Sequence, residues 1–162
     1  VGVIEVKGPN VFSGYWRMPE KTAEEFRKHG YYITGDMAQM AEDGRITISG
    51  RSKDLIISGG FNVYPKEIEL ELDEFDSIGE SAVIGVPHPD FGEGVVAVVT
   101  PGASDTFEEA AICTDLAGRL AKFKVPKRIF MTDSLPRNAM GKVQKAELRA
   151  KFRDCFTTDK PN

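Results

Sequence analysis

Three short stretches carry residue types that can handle an anionic, nucleotide-like ligand. Thr34-Gly35-Asp36 sets a carboxylate behind a Thr-Gly turn, and its two acceptor oxygens can take hydrogen bonds from a diol such as a ribose. The same tripeptide also serves as a plain turn or a helix cap. GRSKDLIISGGFNVYPKEIE, Gly50 to Glu69, supplies Arg51, Lys53 and Asp54, then an apolar run, then the paired Gly59 and Gly60 ahead of Phe61. Arginine suits phosphate or ribose, and paired glycines admit close backbone approach to a ligand. A bulge or tight turn between a strand and a helix is the structural alternative. LPRNAMGKVQKAELR, Leu135 to Arg149, places Lys142 after Gly141 in a loop-like stretch before a helical run. That ammonium is either an ordinary solvated charge or a catalytic cation presented to a phosphate on a mobile loop. Lys122, Lys124 and Lys127 form a local basic cluster, read as a solvated face, with a phosphate contact as the alternative.

These residues need elements to position them. The first fifty residues read mostly as β: a strand at Val1 to Val6 and an extended stretch from Tyr31 to Met40. A hairpin turn at Glu42-Asp43-Gly44 leads into an alternating strand at Arg45 to Ser49. Lys21 to Lys28 is expected to be helical, with Thr22 as N-cap and Glu25 three residues on. After Gly50 the pattern interleaves. Strands are expected at Asp54 to Ile57, Ser81 to Val86, Val95 to Thr100 and Arg128 to Met131. Helices are expected at Pro65 to Glu74, where proline suits the first turn, at Phe107 to Phe123, and at Lys145 to Phe152. Ser58-Gly59-Gly60 reads as a flexible turn, and Pro87 to Gly94 as a loop. This interleaving argues for a small α+β or α/β sheet domain, and the fold class expected is α+β with a mixed sheet flanked by helices. The last residues, Thr157 to Asn162, are polar and read as frayed.

Composition narrows the function classes. The chain has 162 residues, 41% hydrophobic and 28% charged, with a formal net charge of -4. A net negative charge gives no global attraction to nucleic acid or anionic membrane, so any anion site is local. No apolar run approaches the roughly 20 residues of a membrane span. Cys113 and Cys155 fit no metal-ligand spacing and are read as reduced thiols of a cytoplasmic protein, with a disulfide as the alternative. No metal ligands are expected from the chain. It opens as VGVIEVKGPN, already strand-like, and is read as a piece of something longer.

YITGD, GRSKDLIISGGFNVYPKEIE, LAKFKVPKRI and LPRNAMGKVQK, in this order, resemble the successive C-terminal motifs of the adenylate-forming enzymes. These include acyl-CoA synthetases, adenylation domains of peptide synthetases, and luciferases. GYWRMPEKTAEEF, GGFNVYPKEIE and the GKVQK ending are most similar to malonyl-CoA synthetases, although other fatty acyl-CoA synthetases share GFNVYP. The resemblance implies that residues 1–52 are the β-rich tail of a large N-terminal AMP-binding domain. Residues 53–162 would be the small mobile C-terminal domain, with a hinge at Lys53.

It also implies a two-step reaction. A carboxylate attacks the α-phosphate of ATP, giving acyl-adenylate and pyrophosphate, with Mg²⁺ shielding the phosphates. The thiol of coenzyme A then attacks the acyl carbon and releases AMP. Asp36 and Arg51 would hold the ribose and nucleotide, and Lys142 would stabilise charge at the α-phosphate. After rotation about Lys53, Gly59, Gly60 and Phe61 would line the pantetheine tunnel. The substrate would be malonate or another short acid of fatty acid metabolism, and a protein lysine acetyltransferase acting on Lys142 is a candidate partner. Two other readings stay open: an adenylation domain loading a carrier protein, and a non-catalytic module that contacts nucleotide or docks an acetyltransferase.

Overall fold

The computed structural model describes residues 1–104 and 106–157, and the chain divides into two units, Val1–Lys53 and Asp54–Asn162. The class is α+β. In the first unit β1 (Gly2–Val6), β2 (Tyr32–Met40) and β3 (Ile46–Arg51) form an antiparallel sheet in the order β1-β2-β3. This sheet buries little: Ala38 is covered, whereas Met40, Ile46 and Ile48 stand 72%, 59% and 61% exposed. Helix α1 is Pro19–Glu25, two residues earlier than the expected start at Lys21. Pro19 explains the shift, since its ring pre-sets the first helical φ. Thr22 is therefore inside the helix and not its N-cap. Its hydroxyl donates to the Met18 carbonyl and accepts the Tyr15 amide.

The second unit follows a short 3-10 turn at Ser52–Asp54. It contains β4 (Ile56–Ser58), β5 (Phe61–Val63), α2 (Pro65–Leu72), β6 (Ile78–His88), β7 (Gly92–Pro101), α3 (Glu109–Arg119), β8 (Arg128–Met131) and α4 (Lys145–Lys151). The sheet runs β5-β4-β7-β6, antiparallel throughout, and β8 joins β7 in parallel. The expected mixed sheet is present, but three expectations change. β5 is a strand that the residues around Phe61 did not announce. β6 and β7 extend toward each other until His88 pairs with Gly92, so the expected loop becomes a tight hairpin. And α3 covers only the middle of Phe107 to Phe123, with Phe107, Leu120 and Phe123 reaching the core from flanking segments.

Both faces of the central sheet are covered. Val83, Val95, Ala97 and Val99 face Ile68 and Leu72 of α2 and Ile112 and Leu116 of α3. Ala82, Ile84, Val86, Val96 and Val98 face Leu135 and Leu148, with Phe130, Phe152 and Phe156 packed behind. A strand buried on both sides cannot alternate polar and apolar residues, which is why β7, GEGVVAVVTP, is apolar at every position from Val95 to Val99. Cys113 packs at the first cluster and Cys155 at the second, and they form no disulfide. Among the described residues no helix is long and apolar enough to cross a membrane.

A buried carboxylate ties these layers together. Glu69 on α2 is 7% exposed. Its Oε1 accepts the Val83 amide of β6 at 3.0 Å and Lys145 Nζ, at the start of α4, at 2.6 Å. Arg149 of α4 reaches Asp54 at 2.7 Å.

One turn closes three hairpins among the described residues: 27–31, 41–45 and 138–142. In each, the first amide donates to the fifth carbonyl and the fourth amide donates to the first carbonyl, at 2.8 to 3.0 Å. The fourth residue is always glycine: Gly30, Gly44 and Gly141, with φ of 80°, 85° and 77°. This is the three-residue hairpin loop with a left-handed bulge residue. Gly141 thus supplies a required backbone conformation, and Lys142 sits on a hydrogen-bonded turn.

Glu69→Ala should destabilise the second unit by about 3–5 kcal/mol, because Lys145 is left without its partner. Lys66→Ala, whose exposed ammonium lies 3.9 Å from Glu69, should change stability by less than ~0.5 kcal/mol. Urea unfolding separates the two, and equal losses would refute the buried tie. Gly141→Ala and Gly118→Ala each place a Cβ in open space. Only the first meets a left-handed backbone, so it should cost about 1–2 kcal/mol. Gly118→Ala, inside α3, should gain ~0.5 kcal/mol, and thermal melts of the two variants should move in opposite directions.

Candidate functional site

In the first unit, Asp36 and Arg51 are partners across the β2–β3 ladder. Asp36 Oδ1 and Arg51 Nε lie 3.1 Å apart, with side chains 27% and 51% exposed. A pair this exposed contributes little to stability, so both groups can turn to a ligand. The Thr34-Gly35-Asp36 backbone is fixed locally. Thr34 Oγ1 donates to the Ile4 carbonyl at 2.9 Å and accepts the Asp36 amide at 3.1 Å. Gly35 takes φ 74°, and its carbonyl accepts Ser52 Oγ at 3.1 Å. A cavity of about 370 Å³ opens beside this turn, lined among others by Tyr15, Lys21, Thr34, Gly35, Arg51 and Lys53. Arg51 and Lys53 therefore line one cavity of this unit, with Asp36 beside it through its pair with Arg51.

The wall opposite the turn was not foreseen from sequence. Tyr15 donates its hydroxyl to Glu25, with the Tyr32 hydroxyl 3.3 Å away. Hydrogen bonding to the Glu25 carboxylate, then to Tyr32, holds the Tyr15 phenol protonated well above the ordinary tyrosine range. Lys21 Nζ lies over the Tyr15 ring, 4.5 Å from its centroid. Phe12 packs edge-on against Tyr15, Phe26 and Tyr32. The only sequence signal was a run of aromatic residues spaced too irregularly to mark one face.

In the second unit, Gly59 and Gly60 form the two-residue turn of the β4–β5 hairpin, with φ of 58° and 82°. Left-handed values at both positions call for glycine on backbone grounds alone. The Gly59 amide donates to the Phe91 carbonyl at 2.9 Å. Phe61 stays 55% exposed while its ring stacks on Phe123 at 4.5 Å, giving a flat apolar surface beside the turn.

Lys142 belongs to a separate turn of this unit. Its side chain is exposed and, among the described residues, in no ion pair. Lys145, two residues past Val143, is instead committed to Glu69. Of the basic cluster, Lys124 pairs with Glu67 at 2.6 Å and Lys127 lies 4.0 Å over the Phe91 ring. Among the described residues no three His, Cys, Asp or Glu side chains group closely enough to hold a metal ion.

Comparison with known proteins fits this arrangement. Residues 67–142 match the AMP-binding enzyme C-terminal domain. Feruloyl-CoA synthase of an Amycolatopsis species is 45% identical over 93% of this chain and 30% of its own length. Malonate–CoA ligase of Arabidopsis thaliana is 39% identical over 92% of this chain and 26% of its own. The crystal structure of ATP-bound MatB from Rhodopseudomonas palustris is 59% identical, with a TM-score of 0.88 over 96% of this chain and 31% of that one. The chain spans about 30% of the length of the curated relatives it matches. The segment from α2 through the β6–β7 hairpin and α3 to the Lys142 turn is thus similar to the AMP-binding enzyme C-terminal domain, and the curated relatives that match here are acyl-CoA ligases.

Proposed function

We propose that this chain is the C-terminal portion of an ATP-dependent, AMP-forming acid–CoA ligase, and that its acid is malonate or a similar short acid. The observation that carries the reading is Lys142: an exposed cation held on a closed turn, the presentation a mobile catalytic domain requires. In the first half-reaction the acid's carboxylate oxygen attacks the α-phosphorus, the bond to the bridging oxygen breaks, and pyrophosphate leaves. Asp36 and Arg51 separate from each other to accept and donate hydrogen bonds at the ribose. Lys142 Nζ stands against the charge that develops on the α-phosphate oxygens, a contribution of several kcal/mol in a water-poor site, on the order of other such electrostatic terms. Mg²⁺ would travel with the nucleotide and shield its phosphate charge; among the described residues no three His, Cys, Asp or Glu side chains group to hold it.

In the second half-reaction the thiol of coenzyme A attacks the acyl carbon and AMP departs. The backbone of the Gly59-Gly60 turn and the ring of Phe61 would border the pantetheine arm. Lys53, in the 3-10 turn where the first unit ends, would absorb the change in φ and ψ between the two steps. Exposure of Met40, Ile46 and Ile48 supports the view that the three-stranded sheet belongs to a larger domain. GYWRMPEKTAEEF and GGFNVYPKEIE favour malonate; identity to these two curated relatives does not, since the feruloyl-CoA synthase is no less similar than the malonate–CoA ligase.

The direct test incubates the full-length protein with ATP, coenzyme A and a panel containing malonate, ferulate and a long-chain fatty acid. AMP release with malonate is expected, and release only with another acid would overturn that choice. Lys142→Ala should cut adenylate formation by about 10²-fold or more while sparing thioester formation from supplied acyl-adenylate. Equal loss in both halves would remove the assigned role. Lys53→Pro should do the reverse, because proline locks φ; normal turnover in that variant would exclude the hinge.

A further inference from the structure

We propose that Asn138 is a positioning residue for Lys142, a role that rests on the function proposed for that lysine. The three equivalent turns provide the argument. Their first residues are Arg27, Ala41 and Asn138. Arginine and alanine offer no side-chain oxygen, yet both turns close, so closure does not need one. Asn138 adds what they lack: its Oδ1 accepts the Met140 amide at 3.0 Å and the Lys142 amide at 2.9 Å. Its own amide donates to the Lys142 carbonyl at 2.9 Å. Lys142 is therefore gripped on both sides of its Cα by one residue.

A second strut fixes the turn to the sheet. Arg137 donates to the Gly141 carbonyl with one guanidinium nitrogen and to Glu80 of β6 with another. Arg137 also pairs with Val143, and the Gln144 amide donates to the Pro136 carbonyl at 2.7 Å. The lysine side chain is thus free only beyond its Cβ. Misplacing a reacting group by about an ångström can cost on the order of a hundredfold in rate. Asn138 is where that displacement is prevented.

The test compares Asn138→Ala, Asn138→Asp, Lys142→Ala and the double variant in the full-length protein, reading each half-reaction separately. Asn138→Ala should slow adenylation by roughly ten- to hundredfold with the KM for ATP little changed, and should leave thioester formation from supplied acyl-adenylate at the parent rate. Asn138→Asp keeps the Oδ1 acceptor and should restore most of the lost rate. Adding Asn138→Ala to Lys142→Ala should cost nothing more, since the two act through one group. Adenylation at the parent rate in Asn138→Ala, beside a defective Lys142→Ala, overturns this inference alone. So does slowing of both half-reactions together, or no rescue by aspartate. A fully active Lys142→Ala overturns the role of the lysine itself, and this inference with it.

Discussion

Glu69 is the carboxylate on which the second unit turns. Buried ionised groups are costly unless charge and hydrogen bonds surround them, and here a single oxygen satisfies an amide of β6 and the ammonium that begins α4. Helix α2 is thereby registered against the sheet, and α4 against both. Because α4 starts directly after the 138–143 hairpin, its anchor is also the anchor of the turn that carries Lys142. Arg149 and Asp54 repeat the device at the other end of the helix. A seven-residue helix has little stability of its own; α4 holds its place through these two ion pairs and through Leu148, packed at 2% exposure.

Much of this frame was legible because burial leaves a direct mark on composition. β7 is apolar without a break from Val95 to Val99, β8 sits where expected, and Pro65 marks the first turn of α2. What escaped reading involved signals that two structures share. Apolar residues from Phe107 to Phe123 keep a helical spacing, yet the chain leaves the helix at Leu120 and still delivers Phe123 to the core. The β4–β5 hairpin was hidden because its strands are only three residues long, too short for an alternation to show. Pro19 was the better helix start, and Thr22, the more familiar capping residue, was spent on Tyr15.

The candidate site divides along the same line. Residue types that handle phosphate or ribose could be named from the sequence, because Asp36, Arg51 and Lys142 are chemically distinctive. The side chains that line the cavity beside Arg51 could not. Tyr15, Glu25 and Tyr32 are brought together by α1 packing on β2, and nothing in their spacing announces it. Asn138 came closer to being visible, since Asn followed three residues later by Gly is a type I turn signature. The loop-like look of the stretch around Gly141 concealed it. Positive φ makes that glycine a fixed corner, and the corner is what lets one asparagine reach both sides of the lysine.

The parallel pairing of β8 has a consequence for how this unit assembles. β6 and β7 are consecutive and meet through a tight hairpin, so they can zip from local contacts with little chain entropy to overcome. β8 must wait, because a parallel partner is reached only after a crossover, here the one that contains α3. Leu135 and the Lys142 turn lie beyond β8 in the chain, and α4 covers the second face of the sheet through Leu148. The hairpin rests on local contacts, whereas the Lys142 turn and α4 are fixed by Arg137–Glu80, Lys145–Glu69 and Arg149–Asp54, pairings between residues far apart in sequence, the kind that carries the larger loop-closure cost.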